Sequence, residues 1–198
     1  MLKKIGFLIN KNNINFLPFI LKNREKVWIE IGSGNGEYIT SIAKRFNNIF
    51  FIAIEVKFKR IFKTLKKIKR NNLENVLVVH GDAAIFIEFF LNNHSVETFI
   101  INFPDPWFKK RHKKRRLINK DFYSLLAEKL ISSGTIYIAT DYKEYAQIIL
   151  NEANETGLFQ NTKFSKKWLF NDIFTKYEKN FLEKGEKIFY MVLKKINL

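Results

Sequence analysis

The run Glu30-Ile31-Gly32-Ser33-Gly34-Asn35-Gly36 constrains this chain more than any other segment. It follows a short β-rich stretch, Val27-Trp28-Ile29, and opens a helical pattern at Glu37. Glycines at every second position, where a strand turns into a helix, let a ligand approach the backbone more closely than any side chain would allow. The acid just before them selects the ligand. A carboxylate there repels a pyrophosphate and attracts a cation. That points away from a dinucleotide and toward S-adenosyl-L-methionine (AdoMet), which carries a sulfonium and an ammonium.

The rest of the chain continues the strand–helix alternation. Strands are predicted at Val27–Ile31, Ile49–Glu55, Val76–His80, Thr98–Asn102 and Thr135–Thr140. Helical spacing of apolar residues fills the intervals Glu37–Phe46, Phe58–Arg70, Asp82–Asn92, Lys120–Ile131 and Tyr142–Thr156. The nearly continuous Val and Ile runs suit parallel strands buried on both faces. The expected fold is therefore α/β, a doubly wound, mostly parallel, Rossmann-like sheet. Two later runs, 159–162 and Ile188–Leu193, read as strands joined by a polar and aromatic excursion. They predict a C-terminal antiparallel hairpin on one sheet edge. No linker-like stretch or repeat divides the chain, so one domain over residues 1–198 is expected.

Charge narrows the partners. Lys and Arg outnumber Asp and Glu by 35 to 19, a net charge of +16, which forecasts a polyanion. No apolar run approaches a membrane span, so nucleic acid is favoured over a membrane. The absence of cysteine excludes disulfides, a thiolate nucleophile and cysteine zinc sites. His80, His94 and His112 lack metal-ligand spacing, and no metal is expected. No secretory signal is read at the N-terminus, so the expected location is cytoplasmic. Nothing calls for an obligate protein partner.

Open α/β sheets bind ligands beyond the carboxyl ends of their strands, and acids recur there. Glu30 and Glu55 end the first two predicted strands. Asp82, Asp105 and Asp141 follow the third, fourth and fifth. An acid after a strand also caps helices, which serves as an equal explanation for Asp82 and Asp141 alone. As a set they suit AdoMet. Glu30 with Gly32, Gly34 and Gly36 would hold the methionine end. Glu55, 19 residues after Gly36, has the spacing of an acid that receives ribose hydroxyls. Asp82 would accept from the adenine amino group, with the Ala83 backbone nearby.

The loop Asn102-Phe103-Pro104-Asp105-Pro106-Trp107 is stiffened by its two prolines, which presents one carboxylate and one indole at a sheet end. Of the next residues, 109–116, seven of eight are Lys or Arg. Phosphate binding there would bring a nucleic acid to the methyl donor. A second basic surface is expected on the helix after Glu55, where Lys59, Lys63, Lys66 and Arg70 repeat at helical spacing. Engaging about four phosphates would give a log–log salt slope of roughly −3 to −4.

These segments together resemble the tRNA (guanine-N7)-methyltransferases. The likeness runs from Val27 to Leu193 through Glu30–Glu37, His80–Ala83, Asn102–Arg116, Ala139–Asp141 and Thr175–Glu178. NFPDPWFKKRHKKRRL is its most specific part, with Phe108 departing from the usual pattern. The resemblance implies a class I AdoMet-dependent enzyme that methylates guanine 46 in the variable loop of tRNA. It implies AdoMet contacts at Glu30, Glu55, Asp82 and Asp105, with Asp105 catalytic. It further implies nucleoside contacts at Lys109, Asp141, Thr175, Lys176, Tyr177 and Glu178. RNA contacts are implied at Arg111, His112, Lys113, Lys114, Arg115 and Arg116.

Guanine N7 already offers a lone pair and carries no proton, so a general base is unnecessary. Asp105 is expected to orient the base by accepting from N1–H and the amino group, a role open also to Asp141 or Glu178. Trp107 is equally suited to stacking and to packing. Three rivals are weaker. An adenine-N6 methyltransferase uses a similar loop, but Phe103 and Asp105 break its arrangement. A nicotinamide dehydrogenase conflicts with Glu30. A non-catalytic RNA-binding module leaves the strand-end acids unexplained.

Overall fold

The computed structural model describes residues 7–9, 26–107, 111, 116–160, 164–165, 170 and 172–196. Nine strands and six helices lie in these residues. The strands are β1 (Phe7–Ile9), β2 (Val27–Ile31), β3 (Phe50–Glu55), β4 (Val76–His80), β5 (Val96–Asn102), β6 (Leu130–Thr140), β7 (Phe159–Gln160), β8 (Phe164–Ser165) and β9 (Phe189–Lys195). The helices are α1 (Glu37–Arg45), α2 (Phe58–Arg70), α3 (Ala83–Phe90), α4 (Lys120–Lys129), α5 (Lys143–Thr156) and α6 (Lys176–Glu183).

All strands join one sheet in the order β1-β4-β3-β2-β5-β6-β9-β7, with β8 also paired to β9. Pairing is parallel from β1 to β6 and antiparallel at β9. The expected doubly wound sheet and C-terminal antiparallel addition are both present. The strand order reverses between β2 and β5, and the connections from these two strands part there to leave a crevice beyond their carboxyl ends.

Both faces are covered, which explains why β2 and β3 are buried at every residue. Helices α3, α4 and α5 pack one face through Phe86, Phe122, Tyr123, Leu126 and Tyr145. Helices α1 and α2 pack the other through Tyr38, Ile39, Ile42, Ile61 and Ile68. Each fully buried Leu, Ile or Phe contributes about 1.5–3 kcal/mol. A carboxyl group amid such residues, by contrast, costs several kcal/mol when charged and unpaired. Glu30, 2 % exposed in the middle of this wall, is therefore not explained by folding.

Several boundaries differ from expectation. The helix expected to reach Ile131 ends at Lys129, because Leu130 turns into the core and pairs with Val96. β6 then runs eleven residues, interrupted by an irregular pairing that accommodates Ser133 at φ 61°. The excursion after β8 contains α6, whose N-terminus is a capping box: Thr175 accepts from Glu178 N–H and Glu178 accepts from Thr175 N–H. The predicted strand over 159–162 is described only at Phe159 and Gln160; residues 161 and 162 lie outside the described set. No described helix is long and apolar enough to cross a membrane.

Candidate active site at the switch point

The glycine run follows β2 and stands over β3. Gly32 and Ser33 N–H both donate to the Ile54 carbonyl, at 2.9 and 3.0 Å. Gly34 N–H donates to Glu55 Oε2 at 3.0 Å. Gly36 has φ +74°, and a Cβ on it would meet Thr64 Cγ2 of α2 at 2.5 Å. Glycine is therefore required there twice over, by backbone hand and by the close approach of α2. From this turn α1 carries Tyr38, 5 % exposed, onto the wall of a cleft of about 580 Å3.

Glu30, Ser33, Asn102, Asp105, Asp141 and Tyr177 line that cleft, with Arg60 and Lys176 as its cations. Four carboxyls (Glu30, Glu37, Asp105 and Asp141) face these two cations, so an acidic hollow sits in a strongly basic chain. Asn102 Nδ2 donates to Glu30 Oε1 at 3.1 Å across the crevice between β2 and β5. Glu30 Oε2 and the Ser33 hydroxyl are buried without a hydrogen-bond partner among the described residues. Burial pushes the Glu30 carboxyl up to about 8; Asn102 and the Ile39 N–H oppose this, while Glu37 and Glu55 add to it. An incoming ammonium would supply the missing donors and reverse that penalty. This set of acceptors fits the methionine end of AdoMet.

Glu55, Asp82 and Ala83 do not line this cleft. Glu55 lies one strand away, accepting also from Lys57 N–H at 2.8 Å, with Arg60 Nη1 at 3.6 Å. A carboxylate has about four acceptor sites, so capacity for hydroxyl groups remains. Asp82 is exposed and caps α3 by accepting from Ile85 N–H at 3.1 Å, while Ala83 is buried at the start of that helix. These three residues share the strand ends beyond Gly34 in the direction of β4.

The Asp105 loop is held at both ends. Phe103 has φ 52° and Trp107 φ 44°, a conformation that costs roughly 1–3 kcal/mol for a bulky residue. Phe103 N–H donates to the Ala139 carbonyl at 2.8 Å. Arg116 Nε donates to the Pro106 carbonyl at 2.8 Å, and its guanidinium lies 4.8 Å from the Tyr145 ring centroid. Asp105 itself is exposed at the loop tip. Arg116, half-buried, thus clamps the loop. Arg111 is exposed. Lys109, His112, Lys113, Lys114 and Arg115 lie outside the described residues.

The last wall comes from α6. The Tyr177 ring lies 4.8 Å from Phe103 and 4.6 Å from Phe181, and its hydroxyl donates to Asp141 Oδ2 at 3.4 Å. Thr175 and Lys176 also face the cleft. Glu178 does not. It is 3 % exposed and accepts from Tyr190 Oη of β9 at 2.6 Å and from Thr175 N–H at 3.2 Å. Its Oε1 braces α6 against the sheet, and its Oε2 closes the helix's own capping box.

Comparison with known proteins gives the family and the fold. Residues 24–191 match the model of a family described as a putative methyltransferase. The tRNA (guanine-N(7)-)-methyltransferase of Buchnera aphidicola subsp. Baizongia pistaciae is 36 % identical over 200 residues, covering 98 % of this chain and 81 % of that protein. The chain belongs to the tRNA (guanine-N7)-methyltransferase family. The family member of Wolbachia pipientis wMel is 34 % identical over 94 % of this chain and 83 % of its own length. An antibiotic-related methyltransferase of known structure superposes with a TM-score of 0.65 at 21 % identity, covering 96 % of each chain, which shows the shared fold.

Within this family frame, sequence reasoning missed Asn102 as the partner of Glu30 and Arg60 as a cleft residue. It also missed Tyr190 as the anchor of Glu178. The Thr-x-x-Glu signature at 175–178 was a usable signal for α6. Nothing in the sequence placed Tyr190 opposite it, because that contact joins a helix to a strand twelve residues on.

Proposed function

We propose that this chain transfers the methyl group of AdoMet to N7 of guanine in tRNA, at position 46 in the variable loop. A cytoplasmic location and one domain over residues 1–198 go with this reading. Its main support is the buried carboxyl of Glu30, whose Oε2 has no partner among the described residues, at the head of the glycine turn and across one cleft from the Asp105 loop. The volume is in the range of about 300–1,000 Å3 typical of small-molecule sites. The names of the family's relatives support tRNA and guanine N7 as substrate and target atom.

AdoMet, when bound, supplies an electrophilic methyl carbon on a sulfonium. Glu30 and Ser33 anchor the ammonium end, and Glu55 receives ribose hydroxyls beyond Gly34. Asp105 accepts from guanine N1–H and the amino group, an edge that adenine lacks. Its carboxylate also balances the positive charge that the base acquires. The Phe103–Tyr177 pair offers an aromatic wall to the base, with Asp141 holding the Tyr177 hydroxyl. No side chain has to remove a proton before attack, so catalysis rests on alignment of the two reacting atoms.

The decisive experiment incubates the chain with AdoMet and unmodified tRNA, then maps the product by nuclease digestion and mass spectrometry. N7-methylguanosine in the variable loop is the expected product. Methyl on an adenine amino group, or no incorporation, would overturn the proposal.

A further inference from the structure

Helix α2 carries seven cations in thirteen residues and no acid. Lys59 and Arg60 sit in its first turn, where the helix end is itself positive. Lys59 and Lys63, Lys63 and Lys66, and Lys66 and Arg70 fall at three- or four-residue spacing, where like charges destabilise a helix. The fold does not offset this repulsion evenly. Arg60 turns toward Glu55, and Lys67 donates to the Asn35 carbonyl at 2.7 Å and to Glu37 at 3.0 Å. These two cations fasten the glycine turn. Lys59, Lys63, Lys66 and Arg70 form the neighbouring stripe that faces away from the core, exposed, and none has an ion-pair or hydrogen-bond partner among the described residues. Beside them stand Phe58 and Phe62, 50 % and 47 % exposed, edge to face at 4.7 Å.

We propose that this stripe of α2 is a backbone-binding track for the same tRNA whose guanine enters the cleft. The inference rests on the reading of tRNA as substrate. From Lys59 to Arg70 the stripe extends for roughly 16 Å, at about 1.5 Å per residue. That length suits a few successive phosphates. The four ammonium and guanidinium groups neutralise phosphates without reading sequence, and the two phenyl rings take up apolar sugar or base faces. Because Arg60 and Lys67 fasten the adjoining flank of the helix to the glycine turn, the track and the cleft keep a fixed relation. Phosphate contacts along α2 would thereby set which nucleotide reaches Asp105. The repulsion built into the helix is relieved when RNA binds.

The test compares the parent chain with a variant carrying Lys59→Gln, Lys63→Gln, Lys66→Gln and Arg70→Gln, using fluorescently labelled, unmodified tRNA. The variant is expected to bind tRNA about tenfold more weakly at 0.1 M salt, and its log–log salt slope to be shallower by about 3. KM for tRNA rises in step. AdoMet affinity stays at the parent value, and thermal stability is unchanged or higher because like charges have been removed. A second variant, with the three lysines changed to arginine, keeps the parent affinity. Parent-like tRNA affinity and salt slope in the glutamine variant would overturn the track. A parent chain that bound tRNA through this stripe yet placed no methyl on guanine would instead overturn the catalytic reading alone.

Discussion

Glu30 illustrates how one carboxyl reports a ligand. Its pKa is raised in the folded chain to about 8, above the ordinary carboxylate value. The folded state therefore binds the extra proton, and the stability this lends is complete below about pH 4.5 and lost as pH climbs through 8. An ammonium bound beside it reverses the preference. AdoMet binding at pH 6.5–7 is thus expected to release a proton, seen by calorimetry in buffers of differing ionisation enthalpy. Glu30→Gln should abolish the release and weaken binding by about tenfold or more. Asp105 makes a different prediction. Asp105→Asn and Asp105→Ala should lower turnover by about a hundredfold while partly keeping AdoMet affinity; full turnover in the Asn variant would remove Asp105 from the mechanism. Both acids were legible in the sequence because each sits beside a distinctive local motif. The Asn102 contact to Glu30 was not, since it depends on β2 and β5 being neighbours although some seventy residues apart.

Helices and loops carry the next layer of constraint. Gly36→Ala is expected to cost about 2–3 kcal/mol by urea denaturation, from the left-handed backbone and the overlap with Thr64. Adding Thr64→Ala should recover only part of this, because the backbone strain stays. Arg116 separates two roles cleanly. As the clamp on Pro106 and Tyr145, Arg116→Ala should lower kcat by about tenfold with tRNA affinity close to the parent. If tRNA binding fell and kcat held, the arginine would be an RNA contact instead. Helices α1, α2 and α3 were readable from apolar spacing and strand ends. α6 was hidden because its stability comes from Tyr190 and the Thr175–Glu178 cap more than from an apolar stripe; Glu178 alone is buried along it. β1 was hidden because three apolar residues draw their strand character from the edge of β4.

At the scale of the molecule, charge and ligand affinity are segregated. An acidic crevice opens at the sheet's switch point while α2 presents cations beside it. AdoMet at about 100 times its Kd should stabilise the fold by about 2.7 kcal/mol, raising Tm by roughly 5–10 °C. NAD should leave Tm where it is, and an equal shift with NAD would contradict the discrimination assigned to Glu30. The doubly wound order was legible because each βα unit announces itself locally. The placement of β9 inside the sheet, between β6 and β7, was not, because only a long-range pairing creates it. That placement has a consequence for biosynthesis. β9 is the last of the nine strands to leave the ribosome, yet β7 and β8 find their hydrogen-bond partner only in it, and Glu178 its tyrosine. A nascent polypeptide halted before residue 189 lacks the strand that anchors α6 through Tyr190, so the wall that Tyr177 contributes waits on β9.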